Sequence, residues 1–380
     1  MKNCTCFLVL LLFSGCLARG QRQDSLSYQG LVSAWGGYNV DIDRPLWLGA
    51  RYIPQLNYSI RKSDNRMVDF EGSANLNGSA SIHLFDEMSG EVNLKAYRAW
   101  ARYSGQQYEI RLGLQKINFG SATLLRPLMW FDQLDPRDPL QLTNGVWAIL
   151  GRYYFLNNIN IWMWGLYGNK GPKTWETGKT SQSFPEFGGR IQVPVLNGEA
   201  AFSCHFREAV RTSVIQAPPA YNHTPEYRLG LDGKWDAGAG FWFEATWLHK
   251  TLDQEILTDQ EMICMGTDYT FSLGNGLNLT FEYLFYSMDT LPFQFNNLYS
   301  FTTLSLSYPI GLNDHLSAIF YHDRENRNQY NFLNWQHQFN HFSFYLMGFL
   351  NPKNFYLPQQ GNSSRLFAGK GIQAMFVYNF

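Results

Sequence analysis

The sequence predicts an all-β fold, a transmembrane antiparallel up-and-down β-barrel of about 18 strands. Three observations predict it. The chain ends on an alternating segment, Gly371 to Phe380, in which Ile372, Ala374, Phe376, Tyr378 and Phe380 share one face, as a strand with one side in lipid requires. Composition is aromatic-rich at 17% and charge-poor at 16%, with a mean hydropathy of −0.28, whereas soluble domains carry roughly 25% charged residues. No stretch beyond residue 20 approaches the roughly 18 apolar residues of a spanning helix. Such a chain crosses a membrane only as a closed barrel, where each backbone group finds a partner.

From the N-terminus, Lys2, an apolar run from Phe7 to Phe13 and small residues ending Ala18-Arg19-Gly20 have the layout of a secretory signal peptide. This divides the chain into a leader, 1–20, and one barrel domain, 21–380. A rival cut lies at Phe13-Ser14-Gly15-Cys16, a lipidation box with Phe where such boxes carry Leu. The cut after Gly20 leaves Cys204 and Cys264, too few for a disulfide framework, at positions expected to face lipid. A first strand from about Leu26 leaves no length for the plug of a TonB-dependent transporter.

The strands then follow one another without a composition break. Tyr108, Ile110, Leu112 and Leu114 oppose Glu109, Arg111 and Gln115; Tyr227, Leu229, Leu231 and Trp235 oppose Arg228, Asp232 and Lys234; Leu277, Leu279, Phe281, Tyr283 and Phe285 oppose Asn278, Thr280 and Glu282. Tight turns are expected at Ser104-Gly105, Asn157-Asn158, Asn197-Gly198, Ala237-Gly238, Asn275-Gly276 and Asn340-His341, rich in the Gly and Asn that hairpins favour. Long polar links alternate with them, at 117–145, 168–185, 208–225, 249–260, 288–298 and 351–371. Short turns and both termini are thereby assigned to one side, and 18 strands result. Asn77-Gly78 reads as a turn or a bulge, which leaves 16 as the other even count. Trp35, Tyr38, Trp47, Trp162 to Tyr167 and Trp247 are expected in interfacial girdles.

The same parity turns Arg51, Arg98, Arg102, Arg111, Arg152, Arg190, Arg207 and Arg228 inward, with Glu109, Asp232, Glu244 and Glu282 as the chief inward acids. A net basic strip on a wet lumen wall is the expectation, since charges are tolerated there only with water or partners. Arg98, Arg102, Glu109, Arg111, Gln115, Arg152, Arg190, Arg207, Arg228, Glu244 and Glu282 are accordingly the candidate pore-lining residues. The link 117–145 carries Asp132, Asp135, Arg137 and Asp138 beside Pro136 and Pro139. Its Leu124, Leu125, Leu128, Met129, Trp130 and Phe131 need burial, so a loop of this length is read as functional rather than disordered. Folded into the lumen, it would bring its aspartates to the arginine wall and form a constriction; the other placement is a cap over the mouth.

Arg111-Leu112-Gly113-Leu114-Gln115, followed by Gly120 and the Asp132, Asp135-Pro136 and Asp138-Pro139 cluster, resembles the R-x-G-x-Q strand and following loop of alginate-export-type and related outer-membrane porins, those of Bacteroidetes included. The resemblance implies an 18-stranded pore with an in-folded loop, with Arg111 and Gln115 on the wall and Asp132, Asp135 and Asp138 at the constriction. Where many members carry Arg this chain has Leu114, so an anionic polysaccharide is not implied.

Other chemistry is sparse. His337 and His341 straddle an expected turn, and Asp41-x-Asp43 is only a fragment of a calcium loop, so no metal, cofactor or catalytic residue is assigned. A net charge of −1 gives no reason to expect nucleic acid. The expectation is a non-enzymatic outer-membrane channel passing small polar solutes, anionic ones included. Its partners are then outer-membrane lipid and the barrel-assembly machinery, the latter through the strand ending at Phe380. The alternative is a barrel with a filled lumen, acting as a hydrolase with His249, Ser287 and Asp289 or His322 and Asp323 near strand ends, or as an assembly or export component. Sixteen to 18 strands leave room for water, which favours the channel.

Overall fold

The computed structural model describes residues 24–63, 65–82, 88–176, 178–210, 223–251, 257–353 and 367–380. The leader, the Cys16 box and most of the links 208–225 and 351–371 lie outside the described residues. Among the described residues there are eighteen strands: β1 Asp24–Asn39, β2 Leu46–Ser63, β3 Arg66–Ile82, β4 Met88–Ser104, β5 Tyr108–Gln115, β6 Val146–Tyr154, β7 Asn160–Leu166, β8 Glu186–Val195 and β9 Gly198–Val210. The remainder are β10 His223–Asp236, β11 Gly240–Lys250, β12 Asp259–Phe271, β13 Leu277–Asp289, β14 Leu298–Pro309, β15 Asp314–Asp323, β16 Asn328–Gln338, β17 Phe342–Leu350 and β18 Lys370–Asn379. Each pairs antiparallel with its sequence neighbour, and β18 pairs with β1, so the sheet closes and no edge is left.

The closing seam explains the last residue. Gly30 N–H donates to Phe380 O at 2.9 Å, and Phe380 N–H donates to Gly30 O at 3.1 Å. The Phe380 ring packs on Tyr28, Tyr52 and Tyr378 with centroids 5.5 to 6.3 Å apart. All six expected tight turns lie between strands, and the links at 116–145 and 167–185 lie on the opposite side. Asn77-Gly78 is neither turn nor bulge: it runs inside β3, with Asn77 opposite Arg51 and Asn93, and the register shift falls at Ser73/Ala74.

Leu112, Met163, Ile149, Leu229, Phe320, Ile372 and Phe376 point outward and are exposed, which gives the barrel the apolar outer surface that lipid requires. Two expectations about facing are corrected. Cys204 is exposed, but Cys264 is fully buried against Trp242 and Leu284 on the inner face. Trp247 faces out as a girdle residue does, whereas Trp47 and Trp164 are buried inside and Trp35 and Trp162 lie inward under Arg51 and Arg152. The inward rings find room because a glycine stands opposite: Trp35 on Gly49, Trp47 on Gly37, Trp164 on Gly188 and Trp242 on Gly266. At Gly49 a Cβ would collide with the Trp35 ring.

Candidate functional site: an in-folded loop and its docking wall

Residues 116–145 leave β5, cross the barrel interior and return to β6. Leu125, Leu128, Met129, Trp130 and Phe131 are 1–2% exposed. Burying side chains of this size stabilises by about 1.5–3 kcal/mol each, which accounts for an apolar run inside a link. Ile117, Phe119, Leu128, Trp130 and Phe131 pack on Val146, Ala148, Leu150, Trp164 and Leu166, with Phe119 stacked on Trp164 at 5.5 Å. From Val146 to Leu150, β6 is therefore apolar on both faces, one toward lipid and one toward the loop. Ala122 and Leu125 join a second cluster with Trp242, Met262, Leu284 and Phe332.

Two wall carboxylates hold the loop by its backbone. Glu282 accepts hydrogen bonds from Thr123 N–H at 2.6 Å, Thr123 Oγ1–H at 3.0 Å, Leu124 N–H at 3.0 Å and Leu125 N–H at 2.5 Å. It also accepts one from Trp242 Nε1–H at 3.1 Å. Glu244 accepts from Ala122 N–H at 2.7 Å and Leu128 N–H at 2.9 Å. Both glutamates are fully buried. Gly120 has φ +100°, and a Cβ there would collide with the Glu244 carboxylate, so glycine meets both needs.

The loop's aspartates do not pair with the arginine wall. Asp132 pairs with Arg126 at 3.3 Å and Asp135 with Arg137 at 2.6 Å, both within the loop. Asp138 accepts the Leu140 N–H at 3.0 Å. Burial pushes the Asp138 carboxyl above the usual carboxylate range, with the Leu140 amide and the Arg51 charge acting against it. The Arg137 guanidinium lies over Phe332 at 5.0 Å and over Phe367 at 5.2 Å.

Most of the expected basic strip lies against carboxylates, whereas among the described residues Arg51 and Arg98 have none within 4 Å. Arg102 binds Asp69 at 2.8 Å, Arg152 binds Glu109 at 2.9 Å, and Arg111 lies 3.8 Å from Glu109 and over Trp100. Arg190 grips Asp232 through two bonds of 2.6 and 2.8 Å. Arg207 grips Glu226 through two of 2.6 Å, and Arg228 shares Glu226 and Glu176. Arg98 donates to Tyr97 O and to Thr143 O and Oγ1, tying the end of the loop to β4. Gln115 is buried and donates to Ala148 O and Arg111 O; with Gly113 at φ +120°, the R-x-G-x-Q stretch shapes the wall beneath the loop. Glu226 shares the parity of Arg228, and Glu186 that of Arg190 on β8, so both are legible in the sequence; Lys173 and Glu176, on a link, carry no such signal.

A second link, 167–185, braces the first. Trp175 Nε1–H donates to Arg126 O at 2.8 Å, and Thr174 Oγ1–H donates to Asp132 O at 3.0 Å. Lys173 pairs with Glu186 at 2.7 Å, and Glu176 is enclosed by Lys173, Arg207 and Arg228. Burial disfavours the Glu176 charge, but these three cations outweigh it and hold the carboxyl below its ordinary value of 4.5. A depressed carboxyl contributes stability that is present above the unfolded value and lost as pH falls through the folded one. The melting temperature in detergent is therefore expected to fall on acidification below about pH 4.5, and Glu176→Gln to flatten that dependence. An unchanged slope in the variant would remove Glu176 from this account.

Between the 134–141 arm of the loop and β13 to β17 a space of about 380 Å³ stays open, bordered by Thr280, Ser305, Ser317, Asn334, Gln336 and Tyr345 on the wall and by Arg137 and Asp138 on the loop. Of the residues named for a hydrolase, His249 bonds Asp259 at 2.9 Å while Ser287 donates to Asp289 at 2.6 Å, and Asp259 and Asp289 stand opposite each other on β12 and β13. His322 is exposed outward and Asp323 is buried inward, on opposite faces of β15.

No protein-family model and no curated protein matches this chain. Solved structures similar to it include OccAB2 of Acinetobacter baumannii, with a TM-score of 0.56 at 8% identity over 94% of this chain and 98% of that one. The outer membrane channel DcaP of Acinetobacter baumannii has a TM-score of 0.52 at 12% identity over 94% and 97%, and an anion-selective porin from Comamonas acidovorans 0.52 at 11% over 94% and 100%. At such identities the likeness is one of fold, and the chain has the closed antiparallel barrel fold of outer-membrane porins and channels.

Proposed function

We propose that the chain is a passive diffusion channel of the bacterial outer membrane for small polar solutes, with the 117–145 loop as its constriction. The observation that carries this reading is the loop itself, docked across the interior by Glu244 and Glu282 while a space of about 380 Å³ remains beside β13 to β17. Of the resemblance to alginate-export-type porins, the reading keeps only the in-folded loop. The signal peptide would deliver the chain to the periplasm, and the strand ending near Phe380 would be the segment the assembly machinery recognises. Anion preference loses part of its support, because six of the eight inward arginines lie against carboxylates, Arg51 and Arg98 being the two that, among the described residues, do not. A hydrolase is disfavoured, because His249 and Ser287 each bond a different aspartate.

Purified protein in planar bilayers is expected to conduct in steps, and deletion of Met129 to Pro139 to raise the step size. An unchanged step on deletion would make the loop a cap. Silent bilayers across several preparations would end the channel reading.

A further inference from the structure

We propose that the open lane between the 134–141 arm and β13 to β17 is a permeation site for neutral, polyhydroxylated solutes of about monosaccharide size, rather than for anions. This rests on the channel reading above. The wall of the lane is a belt of uncharged hydrogen-bonding side chains brought together by register: Thr280 stands opposite Ser305, Ser317 opposite Asn334, and Gln336 opposite Tyr345. Asn334 borders the lane, and its Oδ1 is buried without a hydrogen bond from the protein, so a small rotation of the side chain would offer an acceptor to an occupant.

The charged groups bordering the lane cancel close to it. Arg137 is bound to Asp135 through bonds of 2.8 and 2.6 Å, its side chain is 1% exposed, and Phe332 and Phe367 cover it. Asp138 is occupied by backbone amides and feels Arg51 from β2. His315 Nε2 is hydrogen-bonded to Ser307 at 2.9 Å. Toward the turn end, a space of about 740 Å³ is bordered by Glu199, Asp236 and Asp268 against Lys234 alone. A lane whose bordering cation, Arg137, is already paired gives an anion little in exchange for its hydration shell. A hydroxyl, in contrast, exchanges water for protein hydrogen bonds nearly one for one. The volume lies in the range of about 300–1,000 Å³ typical of small-ligand sites, and Phe332 and Ile319 supply apolar surface for the C–H face of a ring.

The test uses the mature chain in liposomes and planar bilayers. Swelling in isosmotic glucose is expected to be fast and in a tetrasaccharide slow, and the reversal potential in a KCl gradient to give a cation-to-anion ratio within about threefold of one. Asn334→Asp places a charge in the lane and is expected to shift that ratio toward cations by about fivefold; Gln336→Glu serves as a second variant should the first fail to assemble. Conduction with tenfold or greater anion preference, absence of glucose-driven swelling in a conducting protein, or an unmoved ratio in both assembled variants would overturn the inference and leave the channel standing. Silent bilayers with no swelling in any solute would instead remove the channel reading beneath it.

Discussion

Replacing Glu282 by Ala is expected to release residues 122–125 from the wall and to raise single-channel conductance more than any other single substitution. Its carboxylate gathers three loop amides, the Thr123 hydroxyl and the Trp242 indole, all within 3.1 Å. Hydrogen bonds to a charged group contribute about 1.5–3 kcal/mol each. Even with partial compensation the loss is on the order of 5 kcal/mol of loop docking. The barrel should survive, because ladder bonds close its 18 strands without the loop. Far-UV circular dichroism would therefore match wild type while conductance and its noise increase. Glu244→Ala removes two amide contacts rather than five donors and should have the smaller effect. Wild-type conductance from Glu282→Ala would mean that apolar packing alone holds the loop.

The largest loss of stability is expected from breaking the Arg207, Glu226, Arg228 and Glu176 cluster. All four side chains are at most 2% exposed and linked at 2.6 to 3.1 Å. Glu226→Gln would leave two guanidinium groups with one carboxylate between them. Stranding a buried charge in this way costs about 3–5 kcal/mol. Unfolding in detergent followed by tryptophan fluorescence should show it, as should earlier loss of the compact form on heating in dodecyl sulfate. Removing partners together, as in Glu226→Gln with Arg228→Gln, should recover part of the loss, because a buried ion pair contributes far less than its halves cost when separated. The solvated pair Lys353 and Asp41, with the lysine side chain 75% exposed, is the control, and its disruption is expected to leave the unfolding transition where it is.

Much of the barrel is legible along the chain because its causes are local. Leu277 to Phe285 alternates because one face meets lipid and the other does not, and turns such as Asn197 and Gly238 need residues that tolerate tight backbone geometry. The inward set of arginines follows from the same period of two. β6 was harder to read: Trp147 and Ile149 face lipid while Val146, Ala148 and Leu150 face the loop, so alternation disappears where both sides are apolar. The tryptophans misled for a related reason. Trp47 and Trp164 suit a membrane interface by type, yet each lies inward on a cross-strand glycine that only register reveals.

The sequence by itself determined a closed sheet, the side of the short turns, the inward parity of the charges and the need to bury Leu124 to Phe131. Tertiary structure alone decided which charges meet. Arg207 and Glu226 are 19 positions apart and Arg190 and Asp232 are 42 apart, and their pairing depends on strand register, which no short window of sequence contains. It also decided that Glu244 and Glu282 hold the loop rather than face an arginine. Their partners are backbone N–H groups, which every residue except proline carries, so no side chain in the loop marks where a carboxylate will find them.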